Sequence, residues 1–133
     1  MRTLLHLFIM LHFFLLAQSK TAIDAWTYNG TIAEPRALAQ VLLNKDLLVS
    51  ALFFSPELAE KTQSDIFISF PTPEGRLKNF RMFSSPVMPA SLAQKYPDIL
   101  TYTGIGLDNP GERVSVTVSN SGIKAMILGS KGN

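Results

Sequence analysis

The chain has 133 residues, no cysteine and a formal net charge of +2, with 17% of its residues charged. A chain of this length forms one modest core, burying about two-thirds of its unfolded surface, and here it does so without disulfide staples. Its lysines and arginines are scattered among carboxylates rather than massed, which excludes a nucleic-acid footprint.

The first element is a leader. Arg2 precedes an apolar run from Leu4 to Leu16, broken only by His6 and His12, and Ala17-Gln18-Ser19 then offers small residues where a signal peptidase cuts. The run is short for a bilayer crossing, which takes about 20 apolar residues. Residues 1–19 therefore read as a cleaved secretory signal, and the expected location is secreted or periplasmic. An uncleaved leader would tether the domain, and that is the only membrane association expected. His6 and His12 are the only histidines. Beyond the leader no imidazole or thiol remains for a Ser-His-Asp or Cys-His nucleophile, and zinc sites lacking both ligands are rare. Carboxylate, lysine or tyrosine chemistry is what is left, or none.

Residues 20–35 form a mixed, polar lead-in with the aromatic pair Trp26 and Tyr28, and Asn29-Gly30 is a turn signal. From Arg36 to Leu43 the pattern fits a strand or a short helix. Asn44 then stands as an N-cap before the helical spacing of Leu47, Leu48, Ala51, Leu52 and Phe54, which Pro56 ends. Leu58 to Gln63 is a polar link with room for a helical turn. Asp65 to Phe70 alternates as a strand, with Ile66, Ile68 and Phe70 on one side. Pro71 to Gly75 is a turn, and Arg76 to Phe83 returns as a hairpin. Ala90 to Tyr96 reads as a short helix closed by Pro97. Ile99 to Ile105 is a strand containing Tyr102, and Leu107 to Gly111 is a turn in which Gly111 can take positive φ. Val114, Val116 and Val118 alternate with Ser115, Thr117 and Ser119, the mark of a strand with one buried and one wet face. After Asn120-Ser121-Gly122, the run Ile123 to Leu128 is apolar on both sides. It is expected to be central in its sheet, or covered by a helix or a partner. Residues 129–133 read as a truncated linker or tail.

No site declares itself by spacing. The carboxylates stand singly at element ends and turns. Gly104-Ile105-Gly106 lacks the further glycine and the strand-to-helix context of a dinucleotide loop, so close strand packing or a bulge is expected there. Trp26, Tyr96 and Tyr102 are the aromatics available for a binding face.

One stretch carries a resemblance. Phe80-Arg81, Ser85-Pro86-Val87-Met88, Leu92-Ala93, Lys95-Tyr96-Pro97, Thr101-Tyr102, Gly104, Gly106, Asp108, Pro110, Gly122 and Ala125-Met126-Ile127 follow one another in the order and spacing of a known pattern. In these residues the chain resembles the N-terminal pro-region of secreted bacterial reprolysin-like zinc metalloproteases. Upstream, the agreement is looser and extends the likeness to about residues 36–128. Lys124 stands where that family has histidine, and Asn109 where it has a second aspartate. The sequence contains no HExxH, the zinc-binding motif of the protease domain in that family.

The resemblance implies a non-catalytic pro-domain over residues 36–128 that helps a zinc metalloprotease catalytic domain to fold and keeps it latent. It implies no enzyme activity, no catalytic or metal-ligating residue and no cofactor for this chain. Candidate protease contacts are Met88, Tyr102 and Asp108. Latency without a cysteine ligand leaves two routes: a strand edge added to the protease cleft, or Asp108 or Asp98 as an oxygen ligand to the zinc. The alternative reading is an exported binding or surface-associated module with no protease partner. The expected fold is α+β: an antiparallel sheet of about five or six strands with one or two packed helices. Its expected core is Leu42, Leu48, Leu52, Ile66, Ile68, Phe70, Phe80, Ile99, Val114, Val116, Ile123, Ala125 and Ile127.

Overall fold

The computed structural model describes residues 21–29, 40–59 and 63–129. Residues 1–19, expected as a signal peptide, residues 20 and 30–35 of the lead-in, residues 36–39 and 60–62, and the tail beyond residue 129 lie outside the described residues. In chain order the elements are β1 (Trp26–Asn29), β2 (Gln40–Leu43), α1 (Lys45–Phe53), β3 (Phe67–Pro71), β4 (Leu77–Ser84), α2 (Ala90–Lys95), β5 (Leu100–Gly106), β6 (Arg113–Ser119) and β7 (Gly122–Leu128). Strands β3 to β7 form a five-stranded antiparallel meander in sequence order, and β1 pairs with β2 in a separate two-stranded sheet. The class is α+β, as the sequence leads one to expect.

Local chemistry explains most boundaries. Asn44 caps α1, its Oδ1 accepting from the Leu47 amide at 3.1 Å, and its own amide donates to the Ala25 carbonyl at 2.8 Å. The cap thus also ties α1 to the lead-in. The β3–β4 turn places Gly75 at φ 76°, a left-handed conformation that glycine takes without a Cβ clash. Gly122, at φ 131°, does the same in the β6–β7 turn. Gly111, which can take positive φ, does not use that freedom: an Asx turn, with the Gly111 amide donating to Asn109 Oδ1 at 3.1 Å, shapes that corner.

The core lies between α1 and one face of the meander. Leu48 and Leu52 from α1 meet Ile68, Phe70, Phe80, Met82, Val114 and Val116, all essentially inaccessible, with Tyr102 and Val118 beside them. Trp26 joins the two sheets: its Nε1 donates to the Ser69 carbonyl at 2.7 Å, and its ring lies 5.9 Å from that of Phe70. The opposite face of β3 and β4 is covered as well, since Phe67 and Phe83 are buried there. Residues 56–58 run alongside that end of β4, with Ser84 bonded to the Pro56 carbonyl and the Leu58 amide.

Three expected core residues are not in it. Leu42 is 60% exposed because the register of β2 turns Leu43 inward, and in a strand adjacent residues face opposite ways. Ile99 is exposed as well, and so is Leu100, where β5 begins: the start of this strand lies beyond the core. Ala125 is exposed because β7 is an edge strand, which also corrects its expected central place. No helix covers β7 among the described residues. Strand β1 was not expected at all. Its residues are mixed and polar, and pairing with β2 and the packing of Trp26 hold it extended.

Candidate functional site: two apolar clefts

Between β4 and β5 the chain makes an excursion that carries α2. Backbone and hydroxyl contacts pin its base: the Ser85 amide donates to the Thr101 carbonyl at 2.9 Å, and Thr101 Oγ1 donates back to the Ser85 carbonyl. Pro89 opens α2, its carbonyl accepting from the Leu92 and Ala93 amides. The helix has no buried residue, so its position is set by the loops at its ends. The Tyr96 carbonyl accepts from the Ile99 amide at 3.2 Å and folds Pro97 and Asp98 back toward β5.

The excursion encloses a groove of about 140 Å³ lined by Pro86, Val87, Met88, Tyr96, Pro97 and Tyr102, among others. Its rim is apolar and wet, with Val87 71% and Tyr96 46% exposed. Tyr102 forms its floor, and burial raises the phenol above its ordinary value, so the hydroxyl stays protonated through the neutral range. Lys95 Nζ lies 5.8 Å from the centre of the Tyr96 ring, a cation–π approach at the rim.

Of the residues named from sequence, the fold brings Met88 and Tyr102 to this one groove. Asp108 is elsewhere, exposed in the turn beyond Gly106 at the far end of β5. Asp98 is exposed beside α2 and accepts from Asn120 Nδ2 at 2.9 Å. The three aromatics also separate: Tyr96 and Tyr102 share the groove, whereas Trp26 lines another cleft.

That second cleft has a volume of about 380 Å³ and is lined by Trp26, Phe70, Pro71, Pro73, Ala125 and Ile127. It joins β3 to β7, the first and last strands of the meander. In a flat sheet four strand spacings would hold them about 19 Å apart, so the sheet curls until its two ends face one hollow. Sequence reading missed this cleft. Its one signal was the two-sided apolar pattern of residues 123–128.

A third hollow, at the far end of β5, is lined by Arg81, Ile105, Gly106, Leu107 and Pro110, with the Arg81 guanidinium 5.5 Å from the Phe67 ring centre. No Asp or Glu lines any of these three hollows. Among the described residues no three His, Cys, Asp or Glu side chains gather into a metal-holding group. Glu74 is shifted below its usual range, chiefly by the Thr72 hydroxyl, which is the wrong direction for a general acid. The Gly104-Ile105-Gly106 segment lies in a strand, not a phosphate loop. A Cβ at Gly104 would collide with Val114 Cγ1 and come within 2.7 Å of Met82 Sδ, so close strand packing explains that glycine. Among the described residues no helix is long and apolar enough to cross a membrane.

Compared with protein-family models, with curated proteins and with solved structures, the chain matches none.

Proposed function

We propose that this chain is a non-catalytic exported domain of the pro-domain kind, which assists the folding of a zinc metalloprotease catalytic domain and holds it latent. One observation carries the reading. The sequence clusters behind the resemblance, Ser85-Pro86-Val87-Met88, Lys95-Tyr96-Pro97 and Thr101-Tyr102, are spread over residues 85–102, yet they converge on one apolar groove. Clusters that serve only folding tend to sit in a core; Val87 and Tyr96 instead face water. The groove is then the surface that meets the protease, with Met88 and Tyr102 as contacts. Asp98 and Asp108 are poor candidates for a zinc ligand, because Asp98 is already bonded to Asn120 and Asp108 stands far from the groove. A strand edge is the better route to latency.

The test is to refold a reprolysin-like catalytic domain with and without the full chain, and to follow peptide hydrolysis. Recovered activity should rise during refolding, and the purified protease should be inhibited in trans. Met88→Asp should weaken that inhibition about tenfold, the scale of losing one buried apolar anchor. Neither folding assistance nor inhibition from the wild-type chain would overturn the reading. In that case the open edge of β7 favours the second one, an exported binding module without a protease partner.

A further inference from the structure

The two ends of the meander are treated differently. The outer edge of β3 is occupied: the Ile23 amide donates to the Phe67 carbonyl at 2.8 Å, and the Ser69 amide donates to the Ile23 carbonyl at 2.9 Å. Among the described residues nothing pairs with the outer edge of β7.

The register says which backbone groups that edge presents. Ser119 and Gly122 close a two-residue hairpin and pair directly, which makes theirs a hydrogen-bonded pair. Alternate pairs then bond across the ladder, so Gly122, Lys124, Met126 and Leu128 turn their amides and carbonyls to β6. An independent contact agrees: the Gly106 amide donates to the Glu112 carbonyl at 3.0 Å, which assigns Val114, Val116 and Val118 to β5 and leaves the odd-numbered residues of β6 for β7. Ile123, Ala125 and Ile127 therefore point their amides and carbonyls outward, away from the sheet. The side chains of Ala125 and Ile127 line the apolar cleft shared with Trp26 and Phe70.

On the other face of β6 and β7 stand Arg113, Ser115, Thr117, Lys124, Met126 and Leu128, with no carboxylate among them. Lys124 is exposed, and it sits opposite Thr117 rather than opposite an acid.

We infer that the outer edge of β7 is a strand-addition site for an extended segment of another protein, apolar on the side facing the cleft and acidic on the side facing Lys124. Such a segment bonds to the backbone of Ile123, Ala125 and Ile127 and lays alternate apolar side chains toward Trp26 and Phe70. A second copy of this chain is a poorer occupant, since its own β7 would bring Lys124 and no acid to the cationic face. The site stands on this geometry whether or not the pro-domain reading holds.

Trp26 is the only tryptophan and lines the cleft, so its fluorescence reports occupancy directly. The probe is a short peptide alternating valine with glutamate, titrated against the full chain, beside a counterpart alternating valine with lysine. Expected is saturable binding of the glutamate peptide with a change in Trp26 emission. Affinity should fall about tenfold when the probe is N-methylated on its alternate, edge-facing amides, the scale of losing backbone hydrogen bonds. Ala125→Pro removes an outward amide while leaving the ladder to β6 intact, and should give a similar loss with an unchanged far-UV spectrum. Lys124→Glu should reverse the preference between the two peptides. Absence of binding, or binding indifferent to N-methylation, overturns the site; the groove is a separate surface, tested by Met88→Asp in the protease assay. Concentration-dependent dimerisation abolished by Ala125→Pro would assign the edge to a second copy and overturn the partner proposed here.

Discussion

Gly104 sits where β4, β5 and β6 are drawn together, and the space beside its Cα already holds Val114, Met82 and Phe80. Gly104→Ala forces one of those side chains or a strand to move, and overpacking of this kind costs about 1–3 kcal/mol. Urea unfolding followed by Trp26 fluorescence measures it; an unchanged midpoint would mean that the strands separate freely. Tyr102 makes a different prediction. Burial raises its phenol above the ordinary 10.0, so the folded state favours the protonated form. That contribution is complete below the unfolded value and is lost as pH rises through the folded one. Stability should therefore decline above about pH 10, and Tyr102→Phe should make the decline shallower. Unfolding curves collected across the alkaline range compare the two slopes.

At the scale of elements, α1 shows how much a cap and a face can do together. Its nine residues are too few to be stable alone. Asn44 satisfies one orphan amide, Asp46 complements the helix N-terminus, and Leu48, Ala51 and Leu52 are buried on the sheet. Asn44→Ala should cost about 1 kcal/mol, visible as a lower denaturant midpoint with an unchanged slope. This helix was legible in sequence because cap and spacing agree, and β6 was legible because Val114, Val116 and Val118 repeat with a period of two. The hairpin of β3 and β4 was legible from its turn, and so was the burial of Ile68, Phe70 and Phe80, but the burial of its other face was not. Phe67 and Phe83 are buried on the face opposite the main core, and residues 56–58, distant in sequence, bond to the end of β4 at Ser84.

On the scale of the whole molecule, Trp26 is the join. Its hydrogen bond to Ser69 and its contact with Phe70, which stands edge-on to Phe80 at 5.9 Å, make β1–β2 and the meander share one core. The two sheets should accordingly unfold together. Trp26 fluorescence and far-UV circular dichroism are expected to give coincident denaturation curves, and separated curves would show the two-stranded sheet melting by itself. The Lys78–Glu112 ion pair at 2.8 Å also links β4 to the β5–β6 turn, but its lysine is more than a third exposed, and such pairs add little.

The sequence by itself determined the fold class, the hairpin of β3 and β4, the helix cap and the alternating face of β6, because each is written in neighbours a few residues apart, whereas the order of the strands in the sheet was not legible. It also carried the clusters Ser85-Pro86-Val87-Met88, Lys95-Tyr96-Pro97 and Thr101-Tyr102 from which the groove is built. Only the tertiary structure decided that those clusters meet, that Asp108 stands apart from them, and that β7 lies at an edge rather than at the centre. The reason is physical. A strand apolar on both sides looks the same whether its second neighbour is in this chain or another, and only the curl of the sheet, set by all five strands at once, brings Ala125 and Ile127 into one hollow with Trp26 and Phe70.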